Sequence, residues 1–127
     1  MKRLLLFLSL FIVVPVFAQE QSPEPYTRYC QVSAHDGNVN IYFGKEIVFP
    51  GKDRYLSDEK ANPIKFKYGI DAVNYLSKRG WHLEQLSVSP WVVNGSSLPS
   101  TMIWVLSKTV SSDEEVLEGI ITTRIVK

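Results

Sequence analysis

A short amphipathic stretch that ends in glycine and runs straight into tryptophan leaves this chain few ways to fold. At about 100° per residue, Ile70, Ala72, Val73 and Leu76 fall in one arc, with Tyr75 at its edge. Asp71, Lys78 and Arg79 lie on or near the opposite side, so the spacing predicts a short helix with one face to bury. Asp71 stands in the first turn and Lys78 and Arg79 in the last, each with the sign the helix dipole favours. Gly80 supplies the left-handed residue that ends such a helix. Trp81 and Leu83 follow at strand spacing and turn the chain back into the same core. The expected core is therefore Ile70, Val73, Leu76, Trp81 and Leu83, joined by Trp104 from a later strand.

Residues 1–18 read as an export signal. Lys2 and Arg3 form a basic start, residues 4–14 an apolar run, and Val16-Phe17-Ala18 a small-residue cleavage site. Pro15 breaks the run, which falls short of the roughly 20 residues that span a bilayer. Cys30 follows Thr27-Arg28-Tyr29, which is not the apolar, small-residue context of lipid attachment. The expectation is a periplasmic or secreted protein that begins at Gln19 and has no membrane attachment after cleavage. Removing Lys2 and Arg3 leaves twelve Lys and Arg against thirteen Asp and Glu, a formal charge of −1. That balance argues against nucleic acid, which calls for a basic stripe. A lone cysteine, Cys30, makes no internal disulfide, so packing has to supply the stability.

Residues 19–25 are polar and Pro-rich, a flexible lead, and 26–127 read as a single domain. Tyr26, Tyr29, Cys30 and Val32 lack helical spacing and predict a first strand. His35-Asp36-Gly37-Asn38 is a hairpin signal, because Asp-Gly accepts the positive φ values of a tight turn. Val39, Ile41 and Phe43 alternate with Asn40 and Tyr42 as a second strand. Residues 44–63 read as an irregular surface segment anchored by Tyr55 and Leu56. Trp81 to Ser89 form a third strand, and Pro90 marks an edge or a bulge. Met102, Trp104 and Leu106 alternate with Ile103 and Val105, so the fourth strand is apolar on both faces. Such a strand is buried on both sides, which calls for the C-terminal tail or another subunit over the second face. Ser112-Asp113-Glu114-Glu115 is a capping box that opens a short C-terminal helix ending at Gly119, and 120–126 offer a weak edge strand. The fold class is α+β: a two-layer ββαββ arrangement, one helix on a mainly antiparallel four-stranded sheet, with expected strand order 2-1-3-4.

Few residues point to chemistry. His35 and Asp36 are adjacent at a hairpin tip, where consecutive side chains diverge and water is not excluded. His82 should face away from Trp81, beside Glu84. Two histidines and a distant cysteine give no metal-ligand spacing, and no nucleophile elbow, phosphate loop or dinucleotide fingerprint is present. No metal or cofactor is expected. Cys30, small and apolar on a strand, reads as a buried thiol. Asn94-Gly95-Ser96 matches a glycosylation sequon and equally a turn. Asn74 lies beside Ile70 on the wheel, at the margin of the buried arc. Its amide either tethers the helix to neighbouring backbone or lends a polar group to a pocket between helix and sheet. Trp91, Val92 and Val93 are either an exposed aromatic loop that meets a partner or a continuation of the strand with Trp91 turned inward.

Ala72-Val73-Asn74-Tyr75-Leu76, followed by Gly80-Trp81-His82-Leu83, resembles a signature of a family of small bacterial domains of unknown function. Its usual form is Leu-Asn-x-Leu, then Gly-Trp-Glu-Leu, with a late strand that ends in Lys, matched here by Trp104-Val105-Leu106-Ser107-Lys108. Val73 stands where the first Leu would, and His82 replaces the Glu. The chain also looks like short exported proteins of Gram-negative gut bacteria. The resemblance implies a fold and no activity. The expectation is a non-enzymatic envelope module that binds a protein, peptide or glycan partner, or itself. The alternative is a small hydrolase that uses His35 or His82 with a carboxylate.

Overall fold

The Asp-Gly hairpin forms as expected: Asp36 and Gly37 take φ values of 47 and 77 degrees, the left-handed pair that a two-residue connection demands. It joins β1 (Tyr26–His35) to β2 (Asn38–Tyr42), which pair antiparallel with His35 opposite Asn38. The structure, a computed structural model, describes residues 24–93 and 95–126, with the side chains at 90–93 and 96–99 outside the description. The expected export signal, 1–18, and nearly all of the expected lead, 19–25, lie outside the described residues. After β2 come β3 (Arg54–Leu56), the helix α1 (Gly69–Ser77), β4 (His82–Val93), β5 (Ser96–Val110) and β6 (Thr122–Arg124). The main sheet has four antiparallel strands in the order β2-β1-β5-β4, with α1 laid on one face. The architecture is α+β. No described helix is long and apolar enough to cross a membrane.

The helix is held at both ends as its charges anticipate. Asp71 Oδ2 accepts the N–H of Tyr68 at 3.2 Å. At the other end Arg79 lies over the Tyr75 ring at 3.4 Å, and its guanidinium donates to the carbonyls of Tyr75 and Gly119, both at 2.7 Å. The first bond occupies a carbonyl that a helix C-terminus leaves open, and the second ties that end of α1 to residue 119. Gly80 follows with φ 89 degrees, and Trp81 drops into the core, fully buried against Phe43.

The buried stripe is narrower than the wheel predicts. Gly69, Ala72, Val73 and Leu76 face the sheet. A Cβ on Gly69 would run into the Trp104 ring, so the helix seats with Gly69 and Leu76 at the centre of its contact. Ile70 is then about 110° from that centre and is 47 % exposed, not core. Asn74 is rotated out with it and is fully on the solvent side. Leu83 is also not core, at 50 % exposure. It shares the face of Leu106, its register partner, but β4 is an edge strand and runs out beyond the cover of α1. Val73, Leu76, Trp81 and Trp104 are buried as expected.

The expected order 2-1-3-4 is overturned: the fourth main strand, not the third, pairs with β1. The reason is the direction of α1. Residues 43–68 carry the chain back to the hairpin end of the sheet, where Gly69 approaches Ala34 and Trp104. The helix then runs the same way as β2, and Gly80 ends beside Lys108. β4 therefore runs parallel to β1, and in an antiparallel sheet β5 has to stand between them.

Residues 44–63 are less irregular than expected. Leu56 anchors them, β3 pairs with β6 in a separate ribbon, and the Phe49 ring meets Phe43 edge-on at 5.1 Å. The expected C-terminal helix is a single 3-10 turn, Asp113–Leu117. Glu115 reaches back to the N–H of Ser111, at 3.0 Å, with no side-chain cap from Ser112. Pro90 coincides with a register shift, as expected of a bulge, and a second shift falls at Glu84.

Candidate functional site

Neither histidine is assembled into an acid–base pair. His35 closes β1, exposed, with Nδ1 at 3.0 Å from Thr101 Oγ1. It stands at the rim of a shallow concavity of about 420 Å³ between the hairpin and the start of α1, whose floor is Met102 and Trp104. His82 opens β4, exposed, opposite Ser107. The nearby carboxylate, Glu84, accepts the Ser107 hydroxyl instead. The ion pairs among the described residues are Arg28–Asp113 and Arg124–Asp53, both 3.5 Å and neither with a histidine. Among the described residues no three His, Cys, Asp or Glu side chains gather as for a metal. The described residues assemble no catalytic constellation.

Cys30 lies on β1, buried among Val32, Leu106 and the rest of the core. Burial pushes its thiol up from 9.0 to about 12, because a thiolate there would be desolvated without a counter-charge. A thiol reagent at pH 8 is expected to label the native protein at least about a hundredfold more slowly than the urea-unfolded chain. The sign for stability follows from the raised value. The native state binds the proton more tightly, so this contribution is whole below pH 9 and is lost as pH climbs toward 12. Burial raises the Tyr75 phenol in the same direction. Denaturant midpoints should fall across that alkaline window.

Trp91, Val92 and Val93 are strand rather than loop: their backbone belongs to β4 and pairs with Leu98, Ser97 and Ser96. Their side chains lie outside the described residues. Because β1 pairs only with 102–110 of β5, the far ends of β4 and β5 project past the sheet as a two-stranded arm. Among the described residues, the Asn74 side chain tethers nothing; only its backbone carbonyl accepts a side-chain hydrogen bond, from Ser77. Asn74 lines a surface dip with Phe66 and Lys78, not a pocket between helix and sheet.

Two open surfaces remain. The sheet face away from α1 carries the exposed rings of Tyr29 and Tyr42, with Gln31 beside Tyr42 and Ser33 further along β1 opposite Asn40. Among the described residues, neither the C-terminal tail nor any other element covers it. Ile103 and Val105 are half-buried there by their strand neighbours alone, Ser33 and Ser87 for one, Gln31 and Gln85 for the other. The second surface is the β4 edge. Leu83, Leu86 and Val88 point to the helix side of the sheet and are 50, 49 and 54 % exposed. Sequence reasoning missed this edge. The signal was there: Gln85-Leu86-Ser87-Val88-Ser89 alternates, carries no charge and lies between two bulges. No family model matches the chain, and neither does any curated protein or solved structure.

Proposed function

We propose that this chain is a non-enzymatic binding or self-associating module of the cell envelope, exported to the periplasm or secreted. One observation carries the reading: the sheet is open, with tyrosines displayed on its outer face and an apolar, uncharged edge at β4. Tyrosines among short polar side chains make good contact surface at low entropic cost, and natural edge strands are ordinarily blunted by charge. The leader supports export. The resemblance of 72–83 to a family without assigned chemistry fits a module that is not an enzyme.

The test uses the full chain expressed with its leader and recovered from the envelope fraction. Sedimentation from about 1 µM to about 100 µM, together with cross-linking in intact cells, should give a mass above the monomer or a covalent partner. A monomer at every concentration, with no cross-linked partner, would overturn the proposal.

A further inference from the structure

We infer that β4 is a homodimer seam, at which two copies join edge to edge about a two-fold axis through Ser87. This rests on the self-associating branch of the reading above and names its partner as a second copy of the chain.

Strand geometry sets the register. A two-residue connection makes His35 and Asn38 a hydrogen-bonded pair. Alternation through β1 and β5 then turns the backbone of Ile103 toward Ser87, and that of Leu86 and Val88 away from β5 to the open edge. The residues with free backbone groups are thus the same ones whose side chains are half-exposed on the helix side. The five residues Gln85 to Ser89 read polar-apolar-polar-apolar-polar, the same in both directions. An antiparallel copy centred on Ser87 sets Leu86 against the partner's Val88, and Val88 against the partner's Leu86. Each of those two pairs can exchange both backbone hydrogen bonds.

The ends of the seam are marked as well. In this register Glu84 stands opposite the partner's Pro90, which has no N–H to give, and both positions are register shifts. Pairing therefore stops where each strand departs from regular geometry. No like charges meet, since the segment between carries none. The closed two-fold uses up the β4 edge on both copies, so growth through this seam ends at two chains.

Ser87 faces its own copy in this register as a non-hydrogen-bonded pair, with Cα atoms about 4.5 Å apart, within the reach of a disulfide. Ser87→Cys is then the test, because Cys30 is buried and leaves position 87 the sole reactive thiol. Under mild oxidation at micromolar concentration it should convert to a covalent dimer that reductant reverses, while Tyr42→Cys on the far edge strand should not. Leu86→Lys with Val88→Lys should weaken the dimer by about tenfold or more, with the far-UV spectrum unchanged because both sites are half-exposed. A native assembly that ignores the lysines, with no Ser87→Cys cross-link, overturns the seam and leaves the functional reading standing. A native chain that stays monomeric overturns the seam too, and leaves that reading to its cellular cross-linking arm.

Discussion

Replacing Trp81 with alanine should cost about 3–5 kcal/mol, enough to consume much of a total of about 5–15 kcal/mol. The indole is fully buried, tilted against Phe43 with ring centroids 5.6 Å apart, and Phe43 in turn meets Phe49. The side chain therefore joins the turn after α1 to Phe43 at the end of β2, distant in sequence, and through Phe43 to Phe49 in the segment that follows. Its N–H has no partner among the described residues, so the contribution is packing rather than hydrogen bonding. Trp81→Phe should be much milder, since it keeps an aromatic filler and removes an unsatisfied donor. Urea unfolding checks both. A loss below about 1 kcal/mol for the alanine variant would mean that the indole does not hold the layers together.

Gly69→Ala is expected to destabilise by about 1–3 kcal/mol or more, although alanine for glycine in a helix ordinarily gains up to about 1 kcal/mol. The new methyl would run into the edge of the Trp104 ring and come within 3.1 Å of Ala34 Cβ. Trp104 is 5 % exposed and has no room to retreat, so the first turn of α1 has to lift. The sign decides the matter. Denaturation of the variant beside the native chain, followed by tryptophan fluorescence, will show whether the helix sits this close, and a stabilised variant would refute it.

The sequence exposes the local rules of this fold and hides its long-range ones. Gly80 ends the helix, Asp36-Gly37 turns the hairpin and Pro90 marks a bulge, since each acts through its own φ or its missing N–H. Ile70 falls outside the core because glycine carries no hydropathy signal: Gly69 belongs to the contact face and rotates the buried arc away from Ile70. Leu83 alternates like a core residue, yet exposure depends on which strand lies at the edge, and no periodicity records that. The strand order turned on residues 43–68, whose path reverses the direction of α1 without any regular pattern of its own. The unguarded β4 edge was present as an uncharged run, but it gained meaning only once β5 was placed inside it.

The ribbon of β3 and β6 ties the middle of the chain to its last residues: Arg54 bonds the side chain and carbonyl of Thr122, 68 positions downstream. Ser57, buried, shares a hydrogen bond with Thr123 in the same way. The hairpins can thus form before 122–124 are in place, whereas residues 53–57, bonded locally to Ala61 and Ile64, gain their strand partner only when 122–124 pair with them. Closing so long a loop is slow relative to the local turns, and the strand at 122–124 acts as the latch that holds 54–56 in place.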